Sequence, residues 1–199
     1  MNKINSFIND LRNEKVNSNA FNMYKDENKC RNLQAYLENM LKINPKVMLV
    51  GEAPGYNGCR LTGIPFTSEF IIKNHPFFKN GFRVKGFQKE NSATIMWNVL
   101  DEMNKIPLIW NVFPFHPFKD NAKSNRKPNK KEIDQGGYFL KNLINLFDIH
   151  KIIAVGNTAE ITLNNLGYKS LKVRHPAYGG KAEFKEQLIK ILKQNLKSS

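Results

Sequence analysis

Three residues far apart along the 199-residue chain each sit at the end of an apolar or turn-forming segment and carry a group able to work on a small ligand. Phe66 closes Thr62-Gly63-Ile64-Pro65-Phe66 and offers a flat apolar face. Asn111 interrupts Leu108-Ile109-Trp110-Asn111-Val112-Phe113 near its end with an amide, which is both a donor and an acceptor. His175 opens His175-Pro176-Ala177-Tyr178 with an imidazole, able to donate a hydrogen bond to a developing anion. Each also has a plain structural reading: a core aromatic, a satisfied strand amide, a turn residue before proline. His75 and His116 precede prolines too, and His150 stands before an apolar strand in a structural position.

The elements that must position these groups are strands. Val47-Met48-Leu49-Val50 reads as a buried strand that breaks into Gly51-Glu52-Ala53-Pro54-Gly55. There two glycines open backbone conformations closed to other residues and the proline fixes one torsion. Leu108–Phe113, Lys151–Gly156 and Ser170–Arg174 read as three further strands. Amphipathic helices are expected over 3–13, around Leu33–Leu41, after Ser92 as N-cap and over 130–147. Another is expected from Asn157 or Thr158 to a stop at Gly167, and a last one carries Leu188 to Leu196. Residues 13–29 and 118–131 read as polar loops. Residues 67–91, where aromatic and basic side chains alternate with glycines, read as a nucleic-acid-facing surface or as a covering loop.

Strands alternating with helices predict an α/β fold: a three-layer α/β/α sandwich with a central, mainly parallel four-stranded sheet. One domain over 1–199 is expected, with residues 1–45 packing on its core. In a parallel sheet the first, second and fourth strands end on one edge, where open α/β folds bind ligands.

Composition narrows the classes. An apolar share of 41% with 24% charged residues is that of a soluble globular chain. No apolar run is long enough for a bilayer, and the N-terminus lacks a continuous apolar region, so a cytoplasmic protein is expected. Cys30 and Cys59 cannot supply four thiolates to an iron–sulfur cluster. Thirty-one basic against 17 acidic side chains give a net charge of +14, an excess that a polyanionic partner relieves. A general richness in Lys, Asn and Ile also contributes to it.

Three of these segments together resemble the motifs of the uracil-DNA glycosylase superfamily. Gly51-Glu52-Ala53-Pro54-Gly55 with Thr62-Gly63-Ile64-Pro65-Phe66 is similar to its first motif. Asn111-Val112-Phe113-Pro114 is similar to the segment of its central asparagine, and His175-Pro176-Ala177-Tyr178 to its His-Pro motif. Asn125-Arg126-Lys127-Pro128 and the run Ile152–Gly156 with Asn157-Thr158-Ala159 match the family's order, so the likeness spans about Lys46 to Gly180. The absence of four cysteines sets the chain apart from the iron–sulfur branch.

The resemblance implies a monofunctional DNA glycosylase that flips uracil out of DNA and hydrolyses its bond to deoxyribose. Phe66 would stack on the base, Asn111 would pair with O4 and N3–H, and His175 would donate to O2. Gly51 and Ala53 would bound the same pocket. Ala53 stands where several branches keep an Asp or Asn for the attacking water. That leaves Glu52 first and Asn57 second as water-positioning candidates. Tyr178, Gly179, Gly180 and Lys181 would form a duplex-probing loop with an aromatic wedge, and Arg126 a backbone phosphate contact. No metal and no cofactor are expected, the partner is uracil-containing DNA, and the protein is expected to be a monomer. The alternatives are a relative that binds damaged DNA with weak cleavage, motivated by Ala53, and an α/β enzyme for a phosphorylated metabolite. The latter lacks the usual glycine-loop spacing.

Overall fold

The structure, a computed structural model, describes residues 3–194, so Leu196 of the last expected helix lies outside the described residues. In chain order the elements are α1 (Lys3–Asn13), β1 (Ala20–Phe21), α2 (Glu27–Ile43), β2 (Val47–Gly51), α3 (Cys59–Thr62), α4 (Glu69–Asn74) and α5 (Asn91–Met103). There follow β3 (Leu108–Asn111), β4 (His116–Pro117), α6 (Lys130–Phe147), β5 (Lys151–Val155), α7 (Asn157–Asn165), β6 (Leu171–Val173) and α8 (Lys181–Gln194).

The branched, apolar runs form the sheet. β2, β3 and β5 are buried along nearly their whole length, as strands covered on both faces must be. Their order is β3-β2-β5-β6 and every pairing is parallel. From β2 the chain crosses to β3 through α5, then crosses back past β2 to β5 through α6. Right-handed crossovers in opposite directions use opposite faces, which yields the expected α/β/α layering. Accordingly α5 packs with α4 and α8, while α1 packs with α6 and α2. The crossovers diverge between β2 and β5, and the crevice of such a fold opens at the carboxyl ends of those strands.

β3 is an edge strand, and its edge is closed by a side chain. The hydroxyl of fully buried Tyr36 on α2 accepts from Ile109 N at 2.8 Å and donates to Ile109 O at 3.4 Å. That arrangement satisfies both backbone groups of Ile109 that point away from β2.

Several boundaries differ from expectation. Residues 13–29 contain β1 and a 3₁₀ turn at Met23–Lys25, and α2 starts at Glu27 because the Asp26 carboxylate caps the amides of Asn28 and Lys29. At α5 the N-cap is Glu90, not Ser92; Ser92 instead donates its hydroxyl to Glu90 Oε1 at 2.9 Å. Gly156, not Asn157 or Thr158, caps α7, with φ of 92°. Residues 67–91 cover the core: Phe77 and Phe78 pack against Trp97, and Glu69 and Asn32 pin the loop by its backbone at Gly86, Gln88 and Arg83.

The expected polar loop 118–131 is ordered by Arg126. Its guanidinium donates to both carboxylate oxygens of Glu132, to the carbonyls of Phe118, Lys127 and Asn19, and to Asn19 Oδ1. Glu132 in turn closes a capping box with Asn129 at the start of α6. The assignment of Arg126 as a phosphate contact is therefore corrected: every donor of the fork is spent within the protein. Burial on its own would raise the Glu132 carboxyl, but the bonds from Arg126 and the Asn129 amide outweigh it and hold it below the usual range. Its contribution is present above the unfolded carboxyl range and is lost as pH falls through the lower folded value. Arg126→Ala is expected to cost about 3 kcal/mol in denaturant unfolding at neutral pH. The deficit should shrink on acidification, as Glu132 protonates; a loss below about 0.5 kcal/mol would contradict the clamp.

Candidate functional site

The cavity at the sheet's carboxyl edge is built from strand ends. Gly51 ends β2 directly beside Asn111, which ends β3. A Cβ on Gly51 would stand 2.5 Å from the Phe66 ring and 2.6 Å from Asn111 Oδ1, distances that no real side chain tolerates. The ring and the amide thus occupy the space that a side chain would fill. His175, after β6, rests on Gly156 after β5, whose absent Cβ would lie 3.3 Å from the His175 Cβ. The Phe66 and His175 rings are 6.0 Å apart between centroids, tilted by 43°. Phe66, Asn111 and His175 therefore line one cavity of about 720 Å³.

Local chemistry explains why Phe66 points there. Its φ is 49°, a left-handed conformation that is an outlier for a bulky residue and costs on the order of 1–3 kcal/mol. The surrounding knot holds it. The Thr62 hydroxyl donates to the Thr67 carbonyl at 2.7 Å and accepts from the Ile64 amide, while the Thr67 hydroxyl donates to the Pro65 carbonyl. Trp97 on α5 donates its indole N–H to the Phe66 carbonyl at 3.1 Å, and Asn32 and Tyr24 fix the carbonyls of Thr62 and Gly63.

Asn111 is only 3% exposed, yet its amide makes no hydrogen bond with any described residue. Neither amide atom is sealed away from the cavity. A buried amide left unspent by the fold is uncommon, because desolvation without a partner costs about 1–3 kcal/mol. His175 Nδ1 accepts from the Ala177 amide at 3.2 Å, which places the proton of the neutral ring on Nε2. Burial, and then the neighbouring Arg174 charge, push its pKa below the ordinary histidine value. The ring is thus a neutral donor near pH 7.

Ala53 and Glu52 also line the cavity. Glu52 Oε1 is sealed without a partner, and burial raises its carboxyl while the Lys127 charge lowers it. Asn57 lies outside the lining, since the turn after β2 folds into α3 and carries it away. Tyr178 stands at the rim, 95% exposed with φ of 52°, and Gly179 follows at φ of 78°. Gly180 is a close-packed position in this loop. It packs where a Cβ would meet the His175 carbonyl, and its amide donates to the Ala177 carbonyl. Lys181 begins α8 and is not in the lining.

Sequence reading missed Glu90, Ser92, Asn125, Arg174 and the α7 start at Asn157–Thr158, all of which line the cavity. Glu90 and Ser92 follow a stretch without periodicity, and nothing in their spacing points at β2. Gly156 caps α7 with no side chain, so the partial positive charge of that helix start faces the cavity.

The family model for the uracil DNA glycosylase superfamily matches residues 38–197, most of the chain and every cavity-lining segment. The chain belongs to the uracil-DNA glycosylase superfamily. As a superfamily member it is similar in structure to wild-type SMUG2 of Pedobacter heparinus, with a TM-score of 0.74 over 98% of this chain and 99% of that one. At 17% identity that likeness is one of fold. No curated protein sequence matches. The superfamily is one of DNA glycosylases, and Phe66, Asn111 and His175 of this member meet at the edge where the fold opens. Among the described residues no helix is long and apolar enough to cross a membrane, and no group of three His, Cys, Asp or Glu is placed to hold a metal ion.

His175 is expected to remain a neutral Nε2–H ring down to a titration midpoint below 6.5. Long-range ¹H–¹⁵N NMR of the imidazole checks this, and a midpoint above 7 would contradict it.

Proposed function

We propose that this chain is a monofunctional glycosylase that extrudes uracil, or a closely related pyrimidine, from DNA and hydrolyses its N-glycosidic bond. The observation that carries the reading is the Asn111 amide, buried beside a flat ring and an imidazole yet unused by the fold. A donor and an acceptor left unpaired by the fold are suited to a ligand edge that supplies both senses, as N3–H and O4 of uracil do. Cytosine offers the opposite pattern at those two positions, so an amide oriented to pair with uracil mismatches it.

The geometry supports a division of labour. Phe66 supplies the face on which the everted base stacks, held against thermal collapse by the Thr62–Thr67 knot and by Trp97. His175 presents Nε2–H, and with Nδ1 already engaged the ring cannot take the wrong tautomer without losing the Ala177 bond. As negative charge moves onto uracil O2, a fixed neutral donor lowers the barrier by about 3 kcal/mol. The start of α7 adds a favourable potential for that anion. The exposure of Tyr178 supports a role as the side chain that fills the gap left in a duplex by the everted nucleotide. The net charge of +14 favours approach to the phosphate backbone.

Ala53 motivates the second reading, a protein that binds uracil-containing DNA with little cleavage, because a methyl group at that place supplies no acid–base chemistry. Product formation separates the two.

Uracil-containing single- and double-stranded oligonucleotides are expected to lose the base and become alkali-labile. Intact strands with folded protein would reject the enzymatic reading, and tight binding without product would select the second. His175→Ala should slow single-turnover cleavage by about 10²–10³-fold. Asn111→Asp should relax discrimination against cytosine, and unchanged selectivity in that variant would show that the amide does not read the base. Tyr178→Ala should reduce cleavage in duplex by about tenfold more than in single strands, where no stacking gap is filled. Equal losses on both substrates would remove Tyr178 from the wedge role.

A further inference from the structure

Two carboxylates line the cavity, Glu52 from the first motif and Glu90 from the N-cap of α5. They are held differently. The chain after β2 leaves room for Glu90 by having no side chains where its carboxylate rests. A Cβ on Gly58 would collide with Oε2, and one on Gly55 would stand 3.3 Å from Oε1. Oε1 accepts from the Ser92 hydroxyl at 2.9 Å. Oε2 accepts no hydrogen bond from any described residue and is not sealed from the cavity. Glu52, in contrast, has Oε1 sealed within the protein and an ammonium, Lys127, acting on it. Burial raises the Glu90 carboxyl and the Ser92 bond lowers it, with no cation among the influences on it. A carboxylate with one oxygen fixed by a hydroxyl and the other open to the cavity has the form of a general base.

We propose that Glu90 holds and deprotonates the water that attacks the sugar in the reaction described above. This rests on reading the chain as a glycosylase that hydrolyses its substrate, and it supplies the group that Ala53 lacks. The bond between C1′ and N1 breaks with its electron pair passing to the base, whose anion shares its charge with O2 opposite His175 Nε2–H. The water oxygen forms the new bond to C1′. One of its protons passes to Glu90 Oε2, and the other remains as the hydroxyl hydrogen of the abasic sugar. Glu90 then returns its proton to solvent, and the uracil anion takes one up.

The Gly55–Gly58 cradle and Ser92 have the same purpose in this scheme. The glycines admit the carboxylate beneath the turn, and the hydroxyl orients it so that one oxygen is left over. In sequence the arrangement is spread over Gly55, Gly58, Glu90 and Ser92, and of these only Gly55 belongs to the motif residues that carry the family resemblance.

Single-turnover cleavage of a uracil oligonucleotide, measured against pH for wild type, Glu90→Gln, Glu52→Gln and Ser92→Ala, tests the proposal. Glu90→Gln keeps the size of the side chain and is expected to lose about 10²-fold or more in rate with binding of uracil-containing DNA unchanged. Wild type is expected to slow on acidification as the Glu90 carboxylate takes up a proton, and Glu90→Gln should lose that decline. Ser92→Ala, which removes a bond favouring the charged carboxylate, should move that decline to higher pH, and a purely structural serine would not. A loss in Glu52→Gln larger than that in Glu90→Gln would assign the water to Glu52 and overturn the proposal. A Glu90→Gln rate within about threefold of wild type, or a persisting acid decline in it, overturns the proposal while leaving the glycosylase reading intact. If Glu90→Gln does not fold, an unmoved decline in Ser92→Ala overturns it. A folded wild type that cleaves neither strand form removes the glycosylase reading, and this proposal with it.

Discussion

The absence of a side chain at Gly51 is the constraint on which the cavity depends. Gly51 ends the central strand, in register with Asn111, and both the Phe66 ring and the Asn111 amide stand where its Cβ would be. Two functional groups from segments 45 residues apart in sequence meet because one backbone position is bare. A methyl there would force the ring or the amide to move, and interiors packed at crystal density have little slack to absorb such a shift. Gly156 has a related part on the neighbouring strand, where it admits His175. The switch point between β2 and β5 thus gains its depth from two glycines, and its walls come from loops laid over them.

Around that floor the protein uses hydrogen bonds to keep each group in one state. Phe66 holds an unfavourable backbone conformation because Thr62, Thr67 and Trp97 over-determine it. His175 keeps one tautomer because the Ala177 amide occupies Nδ1. Asn111 is the exception: its strand neighbours satisfy its backbone and leave its amide unused. A ligand entering among such rigid groups, beside one unspent donor–acceptor pair, would lose little of its binding energy to ordering side chains.

Much of this was legible in the sequence, and the reasons are physical. Val47–Val50, Leu108–Trp110 and Ile152–Val155 are continuous apolar runs, which only strands buried on both faces require, and their spacing through helices dictated a parallel sheet. Strand ends marked by glycine, asparagine and histidine then fell on one edge. Arg126 misled because a Lys- and Asn-rich stretch reads as solvated, whereas Glu132, four residues beyond the proline at 128, draws the guanidinium inward. Ser92 misled because a hydroxyl before an apolar-periodic run resembles a cap, and the carboxylate two residues earlier claimed it. Glu90 itself was invisible: what places it is a steric vacancy at Gly55 and Gly58, and a vacancy has no periodicity to detect. Asn57 failed for a similar reason, because the short helix α3 decides which way the turn faces.

The Tyr36 hydroxyl at the outer edge of β3 has a consequence for behaviour at high concentration. Edge strands with free amides and carbonyls are templates on which a second chain can add a strand. At Ile109 both groups are already matched by a phenol from within the fold, and the opposite edge is β6, three residues long with an outward lysine. Among the described residues the four-stranded sheet therefore offers cross-β growth no long open flank. A chain with many apolar strands remains guarded against fibrillar assembly by one hydroxyl and one short strand.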